Sequence, residues 1–211
     1  MITKKLLLFD FDGVIVDSPK ISHDSSNEIL PKPIDLAAYR LFFHGNIFEH
    51  KDVADQSTDV ELKITDDHPF YQRYIPRLMT LSPIEQVHAL IPVLAERFSL
   101  FVVTSTTTGA VSRFLEQHGI LSSFKQVLGS DIDTNKSRKI TNVLKSENMS
   151  PVDCLFITDT LGDIREAGKV GVQSIAVTWG FHERADLEKG SPYAIVSTVE
   201  ELTQKIQVFF G

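Results

Sequence analysis

The stretch LLLFDFDGVIVDS, residues 6–18, decides the fold. Leu6 to Phe9 read as a strand buried on both faces, and Asp10 and Asp12 follow one residue apart with Gly13 directly behind them. Period-2 alternation puts the two carboxylates on one side if the strand persists, and Gly13 permits a sharp change of direction. Two adjacent carboxylates repel unless a cation or a shared proton compensates. A hard cation such as Mg²⁺ fits best, because it takes one or two carboxylates, water and a phosphate oxygen as ligands.

Working outward, further short apolar runs occur at Leu100 to Thr104, Gln126 to Gly129, Cys154 to Thr158, Ser174 to Thr178 and Ala194 to Val196. Segments of helical period alternate with them, most clearly Gly109 to His118, Ser137 to Asn148, Asp163 to Val170 and Thr198 to Phe209. This alternation predicts an α/β fold, a Rossmann-like parallel sheet with helices on both faces. Residues 19 to 84 break the rhythm with the polar stretch SPKISHDSSNE, Pro31 and Pro33, and helices expected around Ile34 to Phe43 and Phe70 to Met79. They are too many for a simple crossover. The expected organisation is an α/β core of residues 1–18 and 85–211, with a small helical cap of residues 19–84 inserted after the first strand.

The bulk numbers set outer limits. With 211 residues, 42% hydrophobic and 23% charged, the chain has the composition of an ordinary globular protein with one sizeable core. A formal charge of −7 offers no electrostatic footprint for nucleic acid or an anionic membrane. The apolar run after Lys4 and Lys5 is too short for a signal peptide, and no apolar stretch reaches membrane-spanning length. The single cysteine, Cys154, lies in the apolar run CLFI and reads as a buried structural thiol. A cytoplasmic location is expected.

In open α/β sheets, functional groups collect where strands end. There stand Asp10 and Asp12 after the first strand, Thr104 and Ser105 after FVVTS, and Asp159 and Asp163 in LFITDTLGD. Any one of these aspartates, taken alone, reads more readily as a turn former or N-cap. The set at matching strand ends points to a cation-dependent site, with Asp159 completing it. A lysine at a helix start in SDIDTNKSRKITNVL adds positive charge. Lys136 is favoured over Lys139 because Asn135 is a good N-cap, and Lys139, one turn on, is expected on a solvated face.

These four motifs in order, DFDGVIVDS, FVVTS, the lysine at a helix start and ITDTLGD, make the chain resemble the haloacid dehalogenase-like (HAD) superfamily. The 19–84 segment is similar to the helical cap of its phosphoglycolate phosphatase and β-phosphoglucomutase group. The family's usual Pro-x-Pro after the lysine is missing, and Thr160 stands where many relatives carry Ser. The resemblance implies a Mg²⁺-dependent phosphatase acting on a small phosphorylated metabolite. Asp10 would be the nucleophile that becomes an aspartyl-phosphate, and Asp12 the general acid and then base, its backbone carbonyl also ligating the metal. Thr104, with Ser105 in the following turn, would bind the phosphoryl group. Lys136 would neutralise charge there, and Asp159 and Asp163 would serve the metal. The rivals are a phosphomutase on a sugar phosphate and a non-catalytic phospholigand-binding member.

Other residues are weighed as secondary. His44, Gly45 and Asn46 in FFHGN, with Arg40 a turn earlier, are candidate substrate contacts. Arg73 and Arg77 could meet a second anionic group, but a solvated face is the simpler expectation. Trp179 reads as packing, and the histidines show no paired metal-ligand spacing. Substrate identity and oligomeric state are not legible.

Overall fold

The computed structural model describes residues 4–49 and 65–211. The 19–84 cap and the 1–18 portion of the core expected from the sequence therefore lie in part outside the described residues. Six parallel strands form one sheet: β1 (Leu6–Phe9), β2 (Ser99–Val103), β3 (Phe124–Leu128), β4 (Cys154–Thr158), β5 (Gln173–Val177) and β6 (Ala194–Val196). Their order is β3-β2-β1-β4-β5-β6. β1 sits between β2 and β4, with Leu8 opposite both Phe101 and Phe156.

Alternation along β1 explains the layers. Leu7 and Phe9 face a core shared with α4 (Glu85–Arg97), α5 (Thr108–Gln117) and α9 (Val199–Phe210), through Val87, Ile91, Phe114, Leu202 and Ile206. Leu6 and Leu8 face the opposite layer, α6 (Lys136–Ser146) and α7 (Leu161–Lys169), through Ile140, Val143 and Ala167. Because both faces are covered, β1, β2 and β4 are buried throughout and read as continuous apolar runs. Cys154 is buried among them, its thiol pushed up to about 12 by that burial. Trp179 is half-buried against the core on the Leu7 and Phe9 side, its indole N–H directed at the Val14 carbonyl at 3.4 Å. The short α8 (Arg184–Leu187) precedes β6.

Between β1 and α4 the chain forms α1 (Pro19–Asn27), α2 (Leu36–Leu41) with a 3-10 turn over Phe42–His44, and α3 (Pro69–Leu78). The stretch SPKISHDSSNE, expected only as a polar start, is thus helical. Its buried face consists of Ser22, Ser25 and Ser26 rather than apolar residues, so hydrophobic periodicity has nothing to register. The serine hydroxyls are satisfied instead: Ser22 and Ser26 meet the Tyr39 hydroxyl at 2.7 and 3.1 Å, and Arg77 donates to Ser25 at 2.9 Å. Arg73 and Arg77 both pair with Glu28, tying α3 to the end of α1.

Lys139 corrects a second expectation. It is fully buried, donating to the Thr104 carbonyl at 2.5 Å and the Gly129 carbonyl at 3.2 Å, so it links the ends of β2 and β3. Lysine is so seldom buried that sequence alone favours a solvated face. Burial, aided by Lys136, pushes its ammonium down to about 7. The folded pKa thus lies below the unfolded one, and the unfolded chain binds the extra proton between them. Relative to Lys139→Met, the wild type is therefore expected to gain stability from about pH 7 to pH 10, by up to about 1.4 kcal/mol per pH unit. Urea unfolding of both proteins at pH 7, 8 and 9 checks this; equal slopes would refute it.

Candidate active site

With strand order 3-2-1-4-5-6, the chain runs to one side of β1 and then crosses to the other, leaving a crevice beyond the carboxyl ends of β1 and β4. Asp10 follows β1, its N–H donating to the Ile157 carbonyl of β4 at 2.9 Å. The chain then turns back on itself, with the Gly13 N–H donating to the Val16 carbonyl at 2.9 Å. Gly13 has φ +72°, and a Cβ there would fall on the Asp159 carboxylate. The glycine in the DxDG stretch thus has two physical reasons, a left-handed backbone and the close approach of the β4 carboxylate. Gly180 also lies against Asp159, where a Cβ would meet the same carboxylate oxygen.

The acidic residues gather around one cation. The Lys136 ammonium lies 2.8 Å from Asp10 Oδ2 and 2.7 Å from Asp163 Oδ2, and all three residues are buried. Asn135 caps α6 by accepting from the Arg138 N–H at 3.0 Å, which fixes Lys136 at the first helical position. Thr160 caps α7 by accepting from the Asp163 N–H, and Thr158 donates to Asp163 Oδ2 at 2.8 Å. Burial raises Asp10 well above the usual carboxylate range against the pull of Lys136. Burial also works to raise Asp163, but Lys136 and its hydrogen bonds outweigh it and hold the group low. Lys136 is raised: the attraction of Asp10 and Asp163 overcomes its own desolvation.

Asp159 is the exception. It is fully buried and pushed up to about 8 by that burial, partly offset by the Phe181 N–H donating to Oδ2 at 2.7 Å. Its Oδ1 is buried without a partner. An unpaired carboxylate oxygen beside further buried carboxylates, with oxygen-only donors, fits a hard cation. Among the described residues, no three acidic, histidine or cysteine side chains already converge on one point in metal-ligand arrangement.

Asp12 stands apart from Lys136. Its Oδ1 accepts from Ser18 Oγ at 2.6 Å and from the Tyr74 hydroxyl, and its Oδ2 accepts from Thr106 Oγ1 at 2.7 Å. Thr104 is fully buried, and its Oγ1 accepts from the Thr106 N–H at 3.0 Å, shaping the turn after β2. The Ser105 carbonyl accepts from the Tyr71 hydroxyl. A cavity of about 660 Å³ opens above these groups, lined by Asp10, Asp12, Ser105, Lys136 and Asp163 below and by Tyr39, Phe43, Tyr71 and Phe181 around it. Thr104 and Asp159 lie behind this wall.

Of the secondary candidates, Gly45 and Asn46 line the cavity. Asn46 donates to the Thr134 carbonyl at 3.0 Å and to Glu166 at 3.3 Å, while His44 faces Asp186 and Arg40 pairs with Glu183. Several contributors escape sequence reading, Tyr74 at Asp12 among them. Glu166 accepts from the Lys136 N–H at 3.2 Å and so completes the α6 N-terminus. His182 accepts at Nδ1 from the Leu161 N–H at 2.9 Å, which directs its Nε2–H to the Arg40 carbonyl at 2.9 Å. Thr106 supplies the Asp12 contact. The only signal for Thr106 is its place in the polar turn TSTTTG after β2.

Comparisons with known proteins give the family. The model of the haloacid dehalogenase-like hydrolases matches residues 7–177. The chain belongs to this family. It is 25% identical to a phosphoglycolate phosphatase of Synechococcus elongatus over 95% of this chain and 96% of that one. It is 30% identical to a 5′-nucleotidase of Pseudomonas aeruginosa over 52% of this chain and 51% of that one. Among solved structures, a haloacid dehalogenase-like protein of Streptococcus pneumoniae superposes with a TM-score of 0.74 at 23% identity, covering 98% of this chain and all of that one. A HAD hydrolase of Bacillus subtilis solved with magnesium gives 0.68 at 18% identity, covering 97% and 99%.

The crowding of Asp159 by glycine makes a prediction of opposite signs. Gly13→Ala carries a left-handed backbone penalty of about 1–2 kcal/mol before any displacement of Asp159 is added, so the hydrolase is expected to melt several degrees lower. Gly168, inside α7 with open space around it, is expected to gain about 0.5–1 kcal/mol on substitution by Ala. Thermal unfolding of the two variants beside wild type decides it, and a Gly13→Ala protein as stable as Gly168→Ala would contradict the account.

Proposed function

We propose that the protein is a Mg²⁺-dependent phosphatase that hydrolyses a small phosphomonoester through an aspartyl-phosphate on Asp10. The observation that carries this reading is the buried Lys136 ammonium between Asp10 and Asp163, with the partnerless Asp159 Oδ1 alongside. A site with this much buried carboxylate is stable only around positive charge, and Lys136 supplies one part of it. Asp10, Asp159, Asp163 and the Asp12 carbonyl would hold Mg²⁺, which supplies charge neutralisation and polarisation of the phosphoryl group. The names of the phosphatase relatives and the magnesium in the Bacillus subtilis structure support the same reading.

The chain's own residues divide the work. Asp10 Oδ attacks phosphorus as the ester P–O bond breaks, and Asp12 delivers a proton to the departing oxygen. Lys136 holds Asp10 in line and offsets the charge that the phosphoryl group brings. Ser105 and the N–H groups of the turn after Thr104 offer hydrogen bonds to phosphoryl oxygens. Asp12, now ionised, takes a proton from the water that cleaves the aspartyl-phosphate. The cavity of about 660 Å³ has the size of a small-metabolite site. We place the enzyme in the cytoplasm, in keeping with its lone buried thiol.

Phosphate release from a panel of phosphate esters with Mg²⁺ tests the proposal. Asp10→Asn is expected to lower turnover by at least about a thousandfold, and EDTA to abolish it reversibly. Activity that survives the substitution would sink the mechanism. An isomeric sugar phosphate in place of stoichiometric free phosphate would mark a phosphomutase, and ligand binding with no product of either kind a non-catalytic member.

A further inference from the structure

Asp12 is held by three hydroxyl groups from three separate parts of the chain. Ser18 is the N-cap residue of α1, Thr106 belongs to the turn between β2 and α5, and Tyr74 lies on α3. Tyr74 is 62 residues away in sequence and buried, its ring stacked on Phe70 with centroids 5.2 Å apart and an interplanar angle of 13°. The stacking fixes the ring, so the hydroxyl arrives at Asp12 with little freedom left to lose.

The acceptor arithmetic matters. Asp12 Oδ1 takes two donors, Ser18 and Tyr74, whereas Oδ2 takes one, Thr106. A carboxyl oxygen with two lone pairs and two donors is filled, so a proton carried by Asp12 belongs on Oδ2. Loss of the Tyr74 donor empties a place on Oδ1, and the carboxyl group then has two competing positions for its proton. Of the three donors, Tyr74 alone comes from deep within the helices that precede α4, so the contact joins their seating on the sheet end to the state of Asp12.

We propose that Tyr74 is the positioning residue of the general acid: its hydroxyl fixes the Asp12 carboxyl group so that the Oδ2 proton faces the leaving oxygen. The inference rests on the reading of Asp12 as acid given above. In the step concerned, the Asp10–phosphorus bond forms and the ester P–O bond breaks. The Oδ2 proton passes to the alcohol oxygen, leaving Asp12 ionised for the attack of water. An alkoxide needs that proton, whereas a nitrophenolate departs without it.

The test compares kcat/KM of wild type, Tyr74→Phe and Asp12→Asn, with Mg²⁺, on p-nitrophenyl phosphate and on an alkyl phosphate that the wild type cleaves. kcat/KM reports the steps up to phosphoryl transfer to Asp10. Tyr74→Phe keeps the ring on Phe70 and is expected to lose about tenfold or more on the alkyl ester, and less than about threefold on the aryl ester. The alkyl-to-aryl ratio, taken on one preparation, is independent of the fraction of folded enzyme, so a destabilised variant still answers. An unchanged ratio in Tyr74→Phe, with Asp12→Asn selectively impaired on the alkyl ester, overturns the role of Tyr74 alone. An unchanged ratio in Asp12→Asn overturns the underlying reading of Asp12 and this inference with it.

Discussion

The ammonium group of Lys136, buried between Asp10 and Asp163, is the interaction on which the rest of the site depends. Each partner is intolerable alone: a desolvated carboxylate or ammonium carries a penalty of several kcal/mol, returned only when geometry and further hydrogen bonds are good. Here they are good. Thr158 completes Asp163, the Phe11 N–H donates to Asp10 at 2.7 Å, and Glu166 accepts from the Lys136 backbone. The arrangement needs β1, α6 and α7 to arrive at one point, which explains why both ends of the site are organised by capped helices. Asn135 fixes the first turn of α6 and Thr160 the first turn of α7.

Beneath this cluster the structure stacks further polar groups that have no contact with solvent. Lys139 binds the carbonyls of Thr104 and Gly129, so the turn that leaves β2 is held from below by a lysine one helical turn behind Lys136. Successive turns of α6 thus serve two layers: the first addresses carboxylates at the cavity, and the second addresses backbone behind it. Asp159 follows β4, approached closely by Gly13 and Gly180, with one oxygen committed to the Phe181 N–H and the other left over. Glycine at both positions lets the backbone approach the Asp159 carboxylate more closely than any side chain would allow.

Much of this was legible in the sequence because it follows from regular structure. The apolar runs became strands with boundaries shifted by about two residues at most, and Asp10, Asp159 and Lys136 follow from strand ends and an N-cap signal. What escaped reading has a common cause. α1 buries serines, so its periodicity is invisible to a hydrophobic count, and Lys139 is buried against the habit of its residue type. Tyr74, Thr106 and His182 act on partners 62, 94 and 142 residues away. No local pattern encodes such pairs; they exist only once distant segments of the chain are packed together. Arg73 and Arg77 show the reverse case, where suggestive helical spacing resolves into ion pairs with Glu28.

These two classes of residue correspond to two kinds of positional control. Asp10, Lys136, Asp159 and Asp163 sit at element ends, where the sheet and the helix caps set their coordinates whatever the rest of the chain does. Asp12 is different. It lies in the turn beyond β1, and its carboxylate takes its orientation from Ser18, Thr106 and Tyr74, which reach it from three separate segments. The helices before α4 meet the sheet end through polar contacts, such as Asn46 to Thr134, Arg165 to the His44 carbonyl and His182 to the Arg40 carbonyl, and through apolar ones, with Phe43 on Phe181 and with Tyr71, Tyr74 and Leu78 of α3 in the core of Leu7 and Phe9. Hydrogen bonds of this kind exchange with water at little net cost, about 1 kcal/mol each. The groups that hold charge are therefore placed by strand ends and helix caps, whereas the group that moves a proton is oriented by hydroxyl groups that only tertiary packing brings together.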